Sequence, residues 1–260
     1  MPFTISHAAA VLPFTRPLAR WHLLSAAIIG SMVPDFHLFV PWHLERFETH
    51  SVVALFTFCL PVGLATYWLF QWHIKVPVVE LLPDAAYRRW RAFERPAEFT
   101  SLRAWVLGAF GVLLGAFSHL TWDAFTHENA RGVRMLPLPE DPVFQVGHHF
   151  VYLPRLLQDV SSLLGLLVVI LIVAWGFRPD GRGPAERRLK PLERRLWFRA
   201  ALLTTVAAIA AAAVLTEQPY PWHRPGMVVY DLAIDTLRGL AIAALLVPIP
   251  VRMRLRRLGG

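Results

Sequence analysis

Apolar residues run nearly unbroken through five long stretches of the chain: Ser51 to Ile74, Ala104 to about Trp122, Val160 to Phe177, Phe198 to Thr216, and about Met227 to Val251. Each comes close to the ~20 residues an α-helix needs to cross the hydrocarbon core of a bilayer. The third is the cleanest, with LLGLLVVILIVAWGF. The fourth is rich in alanine and opens near Arg199, and the fifth contains Asp231, Asp235 and Arg238. The pattern predicts an all-α polytopic membrane bundle of about five spanning helices.

Composition agrees. Hydrophobic residues make up 55% of the 260 and charged residues only 17%, with a mean hydropathy of +0.45. Soluble domains carry about 25% charged residues. One membrane domain over residues 1–260 fits the length, with the chemistry expected in 1–165 and further helices and basic segments in 166–260. The net charge of +8 would suit nucleic acid in a polar chain. Here it points to cytoplasmic loops and membrane lipids, and no nucleic-acid partner is expected. The single Cys59 excludes disulfide frameworks and thiolate metal clusters.

Basic residues alternate between loops. Six Lys/Arg lie between Lys75 and Arg103, eight between Arg178 and Arg199, and four follow Val251. Residues 34–50 hold only Arg46, 217–230 only Arg224, and 122–159 three. The positive-inside rule then predicts a multi-pass protein of the inner (plasma) membrane with a cytoplasmic C-terminus. Residues 34–50 and 122–159 are expected outside. The first 33 residues allow two readings. Arg20 to Val33 is short for a span, so this segment is either a sixth span or a helical hairpin that dips in and returns.

The 11 histidines fall mainly at outer-loop positions or outer helix ends. The sharpest element is SHLTWDAFTH. His119 and Asp123, four apart, project from one helical face about 5–6 Å apart at Cβ. An imidazole and a carboxylate so placed form a two-ligand chelate for zinc, iron or manganese. His127 continues that face. The plainer alternative is a polar helix end whose histidines bond to backbone carbonyls. Asp35 in GSMVPDF, His50 in ERFETHS and His7 in FTISHAAA are further polar groups predicted at the same depth, where ionisable residues are expensive and often functional.

MPFTISHAAAVLPF, GSMVPDF, THS and SHLTWDAFTH, in that order, resemble the bacterial membrane family called domain of unknown function 4184. That family is similar to LexA-regulated, membrane-bound, predicted metal-dependent hydrolases. These in turn are similar to the zinc-dependent phospholipase C and P1 nuclease fold, an all-helical scaffold around a metal cluster. The resemblance covers most of the first 165 residues. It implies metal ligands at His7, Asp35, His50, His119 and Asp123. Two positions depart from the hydrolase pattern: Glu45-Arg46 stands where His-Arg is usual, and Phe36-His37 stands where a second acidic residue is usual. If His7 and Asp35 share one site, the segment between them must begin and end at one membrane face. That selects the hairpin, with a turn near Phe14 to Pro17.

The expected function is hydrolysis of a phosphoester of a lipid or envelope precursor, supported by a divalent metal, zinc before manganese or iron. His127, His148 or His149 would protonate the leaving oxygen. Two other classes compete. One is a transporter or channel using Asp231, Asp235 and Arg238, for which the plain account is an Asp235–Arg238 ion pair. The other is a non-catalytic membrane scaffold.

Overall fold

The computed structural model describes residues 4–20, 23–39, 44–91, 99–127, 130–138, 141–146, 149–183, 185–215 and 225–259. The described chain is almost wholly helical. Five helical stretches among the described residues are long and apolar enough to cross a membrane: Leu55–Leu81, Leu102–Thr126, Leu153–Phe177, Pro191–Val214 and Asp231–Leu258. They fall on the five apolar runs read from the sequence. Leu163, Leu167 and Leu171, like Leu203 and Val206, are exposed on these helices, as expected of side chains that face lipid.

The chain divides into two compact units. One comprises Phe3–Tyr67 with Phe99–Ile172, and the other Trp68–Glu98 with Val173–Gly260.

The first unit opens with a tight 3₁₀ turn, Thr4–His7, that passes into α1 (Ala8–Val11). A second 3₁₀ turn, Leu12–Phe14, leads to α2 (Thr15–Arg20). Helix α3 (Leu24–Gly30) follows, then a 3₁₀ segment Val33–Phe39 and the single-turn α4 (Arg46–Thr49). Val11, Leu18, Leu23 and Ala27 pack together, so α1 and α2 fold back on α3 as a hairpin. The turn is not at Phe14 to Pro17, where the backbone stays helical. Pro13 and Pro17 sit near the starts of helical segments, where the missing N–H has no partner to lose. The reversal follows α2, where the Leu23 amide donates to the Leu18 carbonyl at 2.7 Å.

Helix α5 (Leu55–Leu81) contains two wider π-helical stretches, Leu55–Cys59 and Phe70–Ile74. Each precedes a proline, Pro61 or Pro77, which cannot donate to the regular ladder. Asp84–Trp90 forms α6, and Leu102–Thr126 forms α7, whose first amides are capped by the Ser101 hydroxyl. Helices α3 and α7 meet backbone to backbone. A Cβ at Gly30 would collide with the Val112 carbonyl, and one at Gly115 with the Ala27 carbonyl. Only glycine permits that approach, a device common between membrane helices. After α7 come α8 (Arg131–Met135) and a two-stranded antiparallel ribbon, β1 (Phe144–Val146) with β2 (His149–Val151), Phe144 opposite Val151. Then α9 (Leu153–Phe177) begins.

The second unit contains α6, α10 (Pro191–Leu215), α11 (Pro225–Leu246) and α12 (Pro248–Gly259). Leu81, Leu189, Val251 and Leu255 form its apolar core. Several of its carboxylates pair directly with arginines. Glu80, 1% exposed at its side chain, accepts from Arg188 at 2.9 Å, and Asp84 meets Arg187 at 2.7 Å and Arg194 at 2.6 Å. Arg88 holds Asp180 through two short bonds, and the Arg187 guanidinium stacks on Tyr87. Within α11, Arg238 Nη1 donates to Asp235 Oδ1 at 3.3 Å.

Candidate metal centre

All five residues implied as ligands converge in the first unit. His7 closes the opening 3₁₀ turn, Asp35 lies in the 3₁₀ segment after α3, and His50 follows α4. His119 and Asp123 occupy one face of α7, in register with Gly115 and Gly111 one and two turns before His119. The close approach that those glycines allow brings α3's end against His119. The Ser31 carbonyl is 2.8 Å from His119 Nδ1. A carbonyl only accepts, so Nδ1 carries the hydrogen and Nε2 points onward as a lone pair.

That Nε2 lies 3.5 Å from Asp123 Oδ2 and 3.7 Å from Asp35 Oδ1. His50 Nε2 lies 3.3 Å from Asp35 Oδ1 and 3.7 Å from Asp123 Oδ2, and His7 Nε2 lies 3.7 Å from Asp123 Oδ1. Donors around a tetrahedral zinc, each about 2.1 Å from the metal, stand ~3.4 Å apart. The observed separations match that spacing and are too long for good direct hydrogen bonds. Two overlapping triads result, His7–His119–Asp123 and Asp35–His50–His119, each with its ligand atoms within 4.8 Å of one another.

The buried atoms left without hydrogen-bond partners include His7 Nδ1, His50 Nε2, His119 Nε2 and Asp123 Oδ1. Native interiors rarely leave such groups unsatisfied. Protonating His119 Nε2 would satisfy one contact, but it would place an imidazolium 3.8 Å from the stacked His7 ring. It would also leave His50 Nε2 unpaired. A divalent cation among these groups would give His50 Nε2, His119 Nε2 and Asp123 Oδ1 a partner. Burial pushes the His7 ring down to about 4 and also lowers His50. Burial alone would raise the Asp35 carboxyl, but the neighbouring His50, His119 and His7 rings hold it well below the usual carboxylate range. Neutral imidazoles and ionised carboxylates are the protonation states that bind metal.

The supporting contacts are of the kind that orient metal ligands. His119 is fixed by the Ser31 carbonyl. His50 Nδ1 is 2.7 Å from the Thr49 hydroxyl, whose own hydrogen is directed to the Arg46 carbonyl at 3.3 Å. Arg46 Nη2 donates to Asp123 Oδ2 at 2.6 Å, fixing the carboxylate that all three ligand histidines face. In the sequence Arg46 marks an outer loop and stands in the Glu45-Arg46 pair, with no ligand-orienting role apparent. Its place four residues before His50, as the single Lys/Arg of residues 34–50, was the available signal.

His127 joins the site from the C-cap of α7, with Nδ1 3.3 Å from Asp123 Oδ1 and Nε2 2.8 Å from the Gln158 amide nitrogen. The amide donates to Nε2, leaving the hydrogen on Nδ1. Burial holds this ring at about 4. His149 contributes its backbone to β2, opposite Val146; its side chain and all of His148 lie outside the described residues. Of the two departures from the hydrolase pattern, Glu45 is exposed at the start of α4, where its amide bonds Glu48. His37 Nδ1 lies 2.9 Å from the Pro34 carbonyl, and its ring meets His50 edge-on. A cleft of about 780 Å³ reaches Asp123, His50, His127 and Arg46 from outside.

Compared with known proteins, residues 1–249 match the family described as Domain of unknown function (DUF4184). Comparison with the curated proteins and with the solved structures finds no match.

Proposed function

For a chain that belongs to the Domain of unknown function (DUF4184) family, we propose a membrane-embedded, metal-dependent phosphoester hydrolase. The observation that carries this is the set of buried, unpartnered imidazole nitrogens facing two carboxylates at metal-donor spacing. His7, His50, His119, Asp35 and Asp123 would hold the ion, with zinc, manganese or iron suited to nitrogen–oxygen ligands. A bound divalent ion supplies Lewis-acid polarisation of a phosphoryl oxygen and acidifies water. Asp123 takes a proton from the attacking water, the new P–O bond forms, and the ester P–O bond breaks. His127 Nδ1–H, 3.3 Å from Asp123 Oδ1, delivers its proton to the departing alkoxide and regains one from the protonated Asp123. Arg46 offsets charge that grows on the phosphoryl group.

The basic content of residues 75–103 and 178–199 supports a site on the outer face and a cytoplasmic C-terminus. The Asp235–Arg238 pair supports a structural role for those charges rather than an ion pathway.

Purified protein assayed in detergent with a chromogenic phosphoester tests the proposal. Hydrolysis should vanish on treatment with a chelator and return with added zinc or manganese. Activity indifferent to chelation, or absent from metal-loaded protein across phosphomono- and phosphodiesters, would remove the hydrolase.

A further inference from the structure

The cleft beside the metal centre has two chemically different parts. One end presents Arg131 and Arg134, exposed on one face of α8, together with Arg46. Neither Arg131 nor Arg134 pairs with a carboxylate among the described residues. The other part is walled by Phe47, Val52, Val53 and Phe117. Phe47 is 70% exposed and Phe117 59%, too open for core side chains. Phe117 lies six residues before Asp123 on α7, about 9 Å further along a spanning helix. Phe117 thus extends the apolar lining along a spanning helix beyond Asp123, while Arg131 and Arg134 follow that helix's other end. A soluble phosphate would use the cations and leave the wall idle. A neutral lipid would use the wall and leave the cations idle.

We propose that this cleft binds a lipid carrying a terminal phosphate. Arg131 and Arg134 hold the anionic headgroup, and an acyl chain lies against Phe47, Val52, Val53 and Phe117. The lipid enters sideways from the bilayer, which presents its phosphate to Asp123 and His127. This deepens the hydrolase reading above and rests on it for the identity of the reacting bond, although binding itself needs no turnover.

The test uses the full chain in lipid nanodiscs with neutral matrix lipid. Phosphatidic acid, diacylglycerol with the same chains, and glycerol 3-phosphate are titrated separately, and metal content is measured on the same samples. Phosphatidic acid should bind on the order of tenfold or more tighter than diacylglycerol, because charge-assisted contacts add to the shared acyl burial. Glycerol 3-phosphate should compete poorly. Arg131→Gln with Arg134→Gln should erase most of the difference while metal content stays unchanged, and the paired Lys variants should restore part of it. Equal binding of phosphatidic acid and diacylglycerol would overturn the proposal, as would an unaffected Gln variant or efficient competition by glycerol 3-phosphate. Lipid selectivity in a protein that takes up no metal would sink the hydrolase and leave the lipid site standing.

Discussion

Around Glu80 and Asp84 every carboxylate meets an arginine at 2.6 to 2.9 Å, whereas of Asp35 and Asp123 only Asp123 meets one, Arg46, and both otherwise face imidazole nitrogens at 3.3 to 3.7 Å. Both clusters bury ionisable groups in an apolar protein, yet only one is balanced. In the second unit, Arg187, Arg188 and Arg194 give Glu80 and Asp84 direct cationic partners. In the first, two carboxylates outnumber the one arginine, and burial lowers the flanking His7 and His50 rings. The difference teaches that a buried charge cluster is informative through its deficit. A matched network holds helices together, and an unmatched one, with rigid donors at metal spacing, awaits a cation.

The sharpest way to break this comparison is His119→Ala. It removes the ligand common to both triads, so bound metal and any phosphoesterase activity should be lost together. Far-UV circular dichroism should be unchanged, because the helical hydrogen bonds are internal to each span. Metal retained near the wild-type level would show that the triads are not the site.

Gly115→Val attacks the same site without touching a donor. Its side chain would meet the Ala27 carbonyl, push α3 from α7 and take Ser31 away from His119. Overpacking of this kind costs ~1–3 kcal/mol. A lower melting temperature and a large drop in metal content are expected. Full metal content in a destabilised protein would mean that the backbone contact does not position His119.

Thr49→Val is subtler. It keeps shape but removes the hydroxyl beside His50 Nδ1. Loss of such a supporting contact lowers metal affinity about 10–100-fold. Competition against a fluorescent chelator measures this, and an unchanged affinity would exclude His50 as an oriented ligand.

Asp84→Asn tests the other side of the comparison. Arg187, with a side chain only 2% exposed, loses its charged partner, so stability should fall by about 1–3 kcal/mol while metal content stays at the wild-type level. Metal loss here would mean that the two clusters are not separable.

Much of this was legible in the sequence. Five apolar runs gave the five spans because a bilayer demands length and apolarity and little else. His119 and Asp123 were legible because an i, i+4 pair on one helix needs no tertiary information. His7, Asp35 and His50 came from the ordered motifs, not from spacing, since residues 7 and 50 meet only through the folded hairpin. The rest was hidden for physical reasons. The Ser31 carbonyl that orients His119 is backbone, and every residue has one. Gly111 and Gly115 read as ordinary apolar-span glycines until α3 lay against them. The hairpin turn was expected near Phe14 to Pro17 because prolines break helices, yet near helix starts they do not.

Metal content of the unmodified protein, purified without chelator, tests the central claim most directly. At least one zinc, manganese or iron ion per chain is expected by elemental analysis. X-ray absorption should show a nitrogen and oxygen shell with imidazole scattering and no sulfur, as the only cysteine, Cys59, belongs to neither triad and directs its thiol to the Thr49 carbonyl. Protein that carries no stoichiometric metal, and acquires none when zinc, manganese or iron is added, would contradict the account.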